Sequence, residues 1–330
     1  MKADAVFEGG GVRGIAFAGA VSCLEEHGYE WERLAGTSAG AIIAALLAAG
    51  YHGLEIYEIL TQLDYTKFLD KTALQAIPLA GPLLGLIFQK AIHRGRFIET
   101  WVADLLRRQG VKVFGDLMDA AGSSRLKIIA SDITRRELLV LPDDLKNYGI
   151  DPVRFSVAKA VRMSASIPFY FKPVQLKSPA VSKDPVSLKN LAPLKGTVPL
   201  KDQSARSFIV DGGILSNFPV WIFDTQSIPR WPTFGFQLIS PGQSKTASGK
   251  TNVIDFLLDI ISTMLEEDDR RYLHSEDYER TISIPTLGVR TTEFNLSKEK
   301  SQALYEAGYQ AAGKFLESWD FEQYIKNYRS

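Results

Sequence analysis

The chain has 330 residues, and its 38 basic and 38 acidic side chains give a formal net charge of zero at pH 7. A balanced charge lacks the positive field by which proteins attract nucleic acids, so we expect no nucleic-acid partner. Cys23 is the only cysteine, which excludes an intramolecular disulfide and favours a reducing compartment such as the cytoplasm. The N-terminus has no charged segment followed by an apolar one, and therefore predicts no signal peptide.

Short apolar runs alternate with helical patterns along the chain. In chain order, the patterns predict strand 3–8, helix 14–27, strand 31–35, helix 41–49, helix 54–69, helix 96–109, strand 126–131, strand 137–141, helix 153–164, strand 207–210, strand 233–239, helix 253–265 and helix 301–319. This alternation implies the α/β class, with a mostly parallel sheet and helices on both faces. We expect one domain over 1–330, on which the helical elements of 251–330 pack.

Two segments do not fit the alternation. Residues 72–89 are apolar and uncharged, but they contain two prolines and two glycines. The run is shorter than the roughly 20 residues of a membrane-spanning helix, so it predicts a buried hairpin or a lip that touches a membrane. Residues 172–206 are rich in Pro, Ser and Lys without a sustained period, and they predict a surface insertion.

The turn Gly36-Thr37-Ser38-Ala39-Gly40 matches the G-x-S-x-G pattern of serine hydrolases. It lies between a predicted strand and a predicted helix, where a tight turn projects the serine and glycines allow close backbone approach. The helix N-terminus favours negative charge on a nearby oxygen. Ser38 is therefore the candidate nucleophile, and a helix-capping serine is the alternative.

A second glycine-rich turn, Gly9-Gly10-Gly11-Val12-Arg13-Gly14, follows the first predicted strand. Its free backbone N–H groups predict an oxyanion hole for acyl transfer. The run also matches the G-x-G-x-x-G pattern of dinucleotide sites, which expects an acid about 20 residues later at the end of the second strand. Glu30 and Glu32 fall in that range but precede the apolar part of the strand, so nucleotide binding remains the weaker alternative.

The base for Ser38 is predicted from a third turn, Asp211-Gly212-Gly213, which ends the strand 207–210. Ligands gather at the carboxyl ends of strands in open α/β sheets, and both Ser38 and Asp211 stand at such ends. A serine hydroxyl is a weak nucleophile that needs an adjacent base, which makes Asp211 the candidate.

A histidine base is the alternative, because the order Ser38, Asp211, His274 fits that of the α/β-hydrolases. However, only about two predicted strands precede Ser38, and His274 lies in a charged helical segment. The other histidines lie near predicted helix ends, where we expect capping or solvated roles: His27, His52 and His93.

These motifs together resemble those of the patatin-like phospholipases. The resemblance includes the turns that contain Gly10, Ser38 and Asp211, together with Asn217 and Pro219 after the last of them. The segment Ala160-Val161-Arg162-Met163-Ser164-Ala165-Ser166-Ile167-Pro168 is similar to the family's helix-to-loop segment. In the family's order, the matching positions cover about residues 5–220.

The resemblance implies a three-layer α/β/α fold with a Ser–Asp dyad and no cofactor, metal or catalytic histidine. It implies that Ser38 is the nucleophile and Asp211 the base, and that hydrolysis of fatty-acyl esters passes through an acyl-enzyme. The implied oxyanion loop contains Gly9, Gly10, Gly11, Arg13 and Gly14, and the supporting motif glycines are Gly36, Gly40, Gly212 and Gly213. Asp132 also resembles a family position, although a strand-end turn residue is the simpler interpretation.

Several functional alternatives remain open at this stage. The implied partners are lipid or fatty-acyl ester substrates, and peripheral membrane contact is compatible with a cytoplasmic protein. A lipid-binding protein of the same fold without turnover is a second class of function. Nucleotide binding is the third.

Overall fold

A computed structural model describes residues 1–68, 70, 91–177, 206–240, 263, 274–291 and 293–329. The segment 72–89 lies outside these residues, as does the predicted helix over 253–265 except for residue 263. The strands in the described ranges are β1 Lys2–Phe7, β2 Glu30–Thr37, β3 Ala91–His93, β4 Leu126–Asp132, β5 Glu137–Leu141, β6 Phe169–Phe171, β7 Val174–Lys177, β8 Arg206–Asp211, β9 Thr233–Ile239 and β10 Thr281–Pro285. The α-helices are α1 Ile15–Glu26, α2 Ala39–Ala48, α3 Gly53–Thr61, α4 Arg96–Arg108, α5 Val157–Ser164, α6 Ser275–Glu279, α7 Lys298–Ser318 and α8 Phe321–Tyr328.

The main sheet has the strand order β10-β9-β1-β2-β4-β8-β7, and β5 also pairs with β4. All neighbours from β10 to β4 are parallel, whereas β5, β8 and β7 join in antiparallel pairs. β3 and β6 form a separate parallel pair. The predicted α/β class, with a mostly parallel sheet flanked by helices, is therefore confirmed.

Alternate residues of β1 face opposite sides of the sheet, as strand geometry requires. Ala3, Ala5 and Phe7 belong to the main core, which also contains the buried residues of α1, α2 and α5. Val6 faces the other side and packs with Ala35 and Phe223. Both α2 and α5 contact β4, so the helix that follows Ser38 and the helix that ends at Ser164 lie over the same strand.

The prediction that residues 172–206 form a surface insertion was wrong at both ends of this range. Val174–Lys177 and Arg206–Asp211 are the antiparallel strands β7 and β8 of the main sheet. Leu176 is buried because alternate residues of β7 point towards the core. The intervening residues 178–205 lie outside the described ranges, and their surface location stays a prediction.

The predicted helix over 153–164 begins only at Val157. Ser156 caps this helix, because its side chain accepts a hydrogen bond from the backbone N–H of Lys159. The residues before it pair with another loop instead, since the carbonyl oxygen of Val153 accepts the N–H of Gly115. The sequence patterns also missed short elements, namely β3, β6, β10, α6 and α8. No helix within the described ranges combines the length and apolarity that crossing a membrane requires.

Candidate active site

Ser38 occupies the sharp turn between β2 and α2. Its φ of 53° is positive. Residues other than glycine rarely have a positive φ, and those that do are concentrated at functional turns. A Cβ atom on Gly40 would lie 2.4 Å from the carbonyl oxygen of Phe7 and 2.5 Å from that of Glu8. Gly36 packs against the carbonyl of Gly40 on the other side of the turn. The small residues thus let α2 approach β1 and place Ser38 directly before the N-terminus of α2.

The register of the sheet brings β8 to the end of β2. Residues 128 and 129 of β4 pair with β2 on one edge and with β5 on the other. Residues 130 to 132 pair with β5 and β8, so β8 must lie on the same edge of β4 as β2. Because β2 runs parallel to β4 and β8 runs antiparallel to it, the carboxyl ends of β2 and β8 face each other.

Ser38 and Asp211 meet at this junction. The hydroxyl of Ser38 donates a hydrogen bond to Oδ2 of Asp211 over 2.7 Å. The other carboxylate oxygen, Oδ1, accepts the backbone N–H of Gly213 at 2.9 Å. Asp211 is fully buried, and no ion pair within the described ranges involves it. Burial raises the pKa of Asp211 to about 6, and the two hydrogen bonds only partly oppose this rise.

Two serines at the C-terminal end of α5 and just after it hold the backbone at Ser38 and at Asp211. Ser164 Oγ accepts the N–H of Ser38 at 2.8 Å and donates to the carbonyl oxygen of Ile129 at 2.5 Å. The carbonyl oxygen of Ser166 accepts the N–H of Asp211 at 2.9 Å. The segment Ser164–Ser166 therefore fixes both Ser38 and Asp211 relative to β4.

The glycine loop Gly9–Gly14 passes beside Ser38. An added Cβ on Gly9 would lie 3.3 Å from the Cβ of Ser38. Gly11 has a φ of 56°, and its Cα faces the carbonyl oxygen of Thr291 so closely that a side chain cannot fit. Within the described part of the chain, the N–H groups of Gly10 and Gly11 have no backbone or side-chain acceptor. Two unpaired backbone donors therefore belong to the loop that passes beside Ser38.

Arg13 and Gly14 support this loop from its far end. The Arg13 Nε donates to the carbonyl oxygen of Gly10 at 3.1 Å, and the Arg13 backbone N–H donates to the same oxygen. Arg13 is almost completely buried. Gly14 packs closely on Ala39, at the start of α2. Arg13 thus orients the peptide group that follows Gly10, and this role differs from direct contact with an oxyanion.

An apolar cavity of about 60 Å³ adjoins Ser38, and it is partly open to solvent. Its walls come from α2, α3, α4 and the loop after α5, and they include Ile42, Leu60, Phe68, Ile98, Ile167 and Phe294. The cavity therefore offers hydrocarbon surface immediately beside the candidate nucleophile.

Residues 5–224 match the family model of the patatin-like phospholipases. The chain belongs to this family. It is 37% identical to the uncharacterized protein YqhO of Bacillus subtilis strain 168, over 97% of this chain and the whole of that protein. It is 22% identical to the uncharacterized protein R571 of Acanthamoeba polyphaga mimivirus, over 91% of this chain and 89% of that protein.

A solved structure shares the patatin-like fold. The crystal structure of VipD from Legionella pneumophila superposes with a TM-score of 0.52 at 17% sequence identity. The alignment covers 96% of this chain and 67% of that chain. Its low identity means that this similarity concerns the fold alone.

The contacts described for the four histidines of this patatin-like protein involve residues other than Ser38 and Asp211. His27 ends α1 with Nδ1 2.7 Å from the carbonyl oxygen of Cys23. His52 and His274 each precede a helix, and His93 lies in β3 against the ring of Tyr170. His93 was expected in a loop near a helix end, and pairing of β3 with β6 explains the difference.

Asp132 ends β4 and holds the turn that follows. Its Oδ1 accepts the N–H groups of Thr134 and Arg135, while its Oδ2 accepts the hydroxyl of Tyr148 at 2.7 Å. The prediction of a strand-end turn residue is confirmed. No cluster of three or more His, Cys, Asp or Glu in the described ranges is placed to bind a metal ion.

Sequence reasoning gave no individual role to Ser164, Ser166 or Asn217. Asn217 belongs to the motif after Asp211, and its carbonyl oxygen accepts the N–H of Gly9 at 3.1 Å. It therefore joins the turn after Asp211 to the glycine loop Gly9–Gly14. The only sequence signal for these residues was their membership of family-like segments, because their partners lie far away along the chain.

Proposed function

We propose that this patatin-like protein is a serine lipid acyl hydrolase that cleaves fatty-acyl esters with a Ser38–Asp211 dyad. The observation that carries the proposal is the 2.7 Å hydrogen bond from Ser38 to a buried carboxylate, at the edge of an apolar cavity. A carboxylate with an ordinary pKa near 4 is a poor base for an alcohol. Burial brings the pKa of Asp211 to about 6, nearer to the operating pH at which a general base works best.

The reaction begins with attack of Ser38 Oγ on the ester carbonyl carbon. The hydroxyl proton passes to Oδ2 of Asp211, which already accepts its hydrogen bond. The N–H groups of Gly10 and Gly11 stabilise the negative charge on the tetrahedral oxygen. The C–O bond to the alcohol then breaks, and Asp211 returns the proton to the departing alcohol. The acyl chain remains esterified to Ser38.

Hydrolysis of the acyl-enzyme repeats these steps with water. Asp211 takes a proton from a water molecule as its oxygen attacks the acyl carbonyl. The second tetrahedral intermediate expels Ser38 Oγ, which recovers the proton from Asp211. The products are a fatty acid and an alcohol, and the enzyme is regenerated.

An active-site-directed fluorophosphonate tests this proposal. We expect covalent labelling at Ser38, detected by mass spectrometry, and complete loss of labelling and ester turnover in Ser38→Ala. Ser22→Ala is the matched control, because Ser22 is buried in α1 and bonds only to the carbonyl of Ala18 in its own helix. Failure of the folded protein to react at Ser38 would contradict the proposal and favour a lipid-binding protein without turnover. Thermal stabilisation by NAD or ATP would favour the nucleotide-binding alternative.

Ser164→Ala is expected to lower ester turnover without removing a reacting group. The substitution leaves the buried N–H of Ser38 and the carbonyl of Ile129 without the hydroxyl that joins them. A lost partner of this kind lowers stability by about 1–3 kcal/mol. Small displacements of a nucleophile reduce rates by up to about 10²-fold, so kcat should fall while KM changes little. Unchanged kcat in a variant that shows the stability loss would exclude a positioning role for Ser164.

A further inference from the structure

The lining of the apolar cavity contains a polar side chain that the proposed chemistry does not use. Apart from Ser38, the described residues whose side chains line the cavity and carry a polar atom are Tyr65 and Trp101. Trp101 is only partly buried, so water can reach it. Tyr65 is 8% exposed and lies among aliphatic and aromatic neighbours. Tyr65 is therefore the one tyrosine among the described residues that line this cavity, and its side chain is mostly buried.

The hydroxyl of Tyr65 makes no hydrogen bond with any residue in the described ranges. Other buried tyrosines do bond, since Tyr51 donates to the carbonyl of Leu105 at 2.9 Å and Tyr148 to Asp132 at 2.7 Å. A buried tyrosine hydroxyl usually finds a partner, because an unmet donor in an apolar site is unfavourable. Burial also raises the pKa of Tyr65, so the phenol keeps its proton and remains a donor.

Aromatic packing holds the Tyr65 ring in place. Tyr65 begins a short 3₁₀ helix, Tyr65–Phe68, and its ring meets that of Phe68 edge to face at 5.8 Å. Phe68 in turn packs against Phe97, Trp101 and Phe294. Turning the Tyr65 ring out to solvent would break its contact with this aromatic cluster. The side chain therefore stays in the lining of the cavity.

We propose that Tyr65 makes this cavity select acyl chains that carry an oxygen substituent, such as a hydroxyl or keto group, along the hydrocarbon. The inference rests on the proposed acyl hydrolase function and specifies its substrate class. The phenol donates a hydrogen bond to the substituent oxygen, while the surrounding apolar walls contact the neighbouring methylene groups. A site with a polar group that only the correct substrate satisfies discriminates against the analogue that lacks it.

The test compares p-nitrophenyl stearate with p-nitrophenyl esters of hydroxystearates whose hydroxyl is near the carboxyl end, in the middle or near the methyl end. At least one hydroxystearate should exceed stearate in kcat/KM by about tenfold, the effect of one neutral hydrogen bond. Tyr65→Phe should remove this preference by lowering kcat/KM on that hydroxystearate about tenfold, to the level of stearate. Tyr51→Phe is the matched control, since its phenol is buried outside the cavity lining, and it should keep the preference.

The outcomes separate this inference from the proposed function. Hydrolysis of stearate without preference for any hydroxystearate, or a preference that persists in Tyr65→Phe, overturns the role of Tyr65 alone. Loss of turnover on every ester, together with no labelling of Ser38, overturns the acyl hydrolase function. The ratio of kcat/KM on monostearoylglycerol to kcat/KM on methyl stearate tests whether the recognised oxygen lies in the alcohol portion of the ester instead of the acyl chain. If Tyr65→Phe changes only that ratio, the phenol recognises the alcohol portion and the acyl-chain inference is wrong.

Discussion

Replacing Asp211 with Asn is expected to abolish ester hydrolysis and to raise the free energy of unfolding at neutral pH. An amide cannot accept the proton of Ser38, and loss of a general base lowers rates by about 10²–10⁴-fold. The amide can retain both hydrogen bonds, because its oxygen can accept the N–H of Gly213 and its nitrogen can donate to Ser38. The neutral side chain also removes the unfavourable burial of a charge.

The stability gain depends on pH in a defined direction. Burial raises the pKa of Asp211 from its ordinary 3.8 to about 6, so the folded protein holds this proton more tightly than the unfolded chain. The neutral carboxyl of Asp211 contributes to the stability of the folded protein. This contribution is fully present below pH 3.8 and is lost as the pH rises through about 6. This shift in the pKa of Asp211 corresponds to a change of roughly 3 kcal/mol in the free energy of unfolding, since each pKa unit contributes about 1.4 kcal/mol. Turnover by the parent protein should rise over the same pH interval, because only the ionised carboxylate can act as the base.

Urea unfolding of parent and Asp211→Asn between pH 4 and pH 8 measures this effect. The two unfolding free energies should agree near pH 4, diverge in favour of the variant between about pH 4 and pH 6, and differ by a constant amount at higher pH. Asp132→Asn is a suitable control, because Asp132 is also buried at a strand end but bonds to Tyr148 and its own turn. That control should keep turnover. Persistent hydrolysis by Asp211→Asn would remove Asp211 from the mechanism.

Gly40→Ala should destabilise the protein and reduce turnover, although alanine is the better helix former. Alanine is favoured over glycine in a helix by about 1 kcal/mol. Here its Cβ would lie 2.4 Å and 2.5 Å from two carbonyl oxygens, those of Phe7 and Glu8, and these backbone atoms cannot rotate away. Overpacking of this kind costs about 3 kcal/mol, so we expect a net loss of about 2 kcal/mol or more. Relief of the overlap would move α2 away from β1 and displace Ser38 from Asp211.

The control for this prediction is Gly110→Ala. Gly110 has a φ of 78°, and a Cβ there would have no neighbouring atom within 4 Å. It should lose only about 1 kcal/mol through backbone strain, with turnover unchanged. Urea unfolding and ester hydrolysis of the three proteins provide the comparison. Equal effects of Gly40→Ala and Gly110→Ala would show that close packing of α2 on β1 is not needed to hold Ser38.

Ser38 and Asp211 were expected to lie together, and the structure brings them together by a different strand arrangement from the expected one. They were expected together because both follow strands, whose carboxyl ends meet at one edge of a parallel sheet. Ser38 obeys that rule, since β2 is parallel to its neighbours. Asp211 does not, because β8 is antiparallel to β4 and approaches β2 end to end. Strand direction depends on pairing across the sheet, and the residues before β8 carry no pattern that reveals it.

The amino-acid sequence by itself determined the features that depend on local motifs. The strand–turn–helix around Ser38, the glycine loop and the alternating elements follow from short-range sterics and from the periodicity of apolar residues. These features depend on neighbours within a few positions of the chain. They were sufficient to predict the α/β class and the resemblance to the patatin-like phospholipases.

Only the tertiary structure decided how the parts of the site combine. The hydrogen bond between Ser38 and Asp211 joins residues 173 positions apart, and the bond from Ser164 to Ser38 joins residues 126 positions apart. The raised pKa of Asp211 and the isolated hydroxyl of Tyr65 are likewise properties of burial. Burial is the sum of contacts from many segments, and no local pattern of residues specifies that sum.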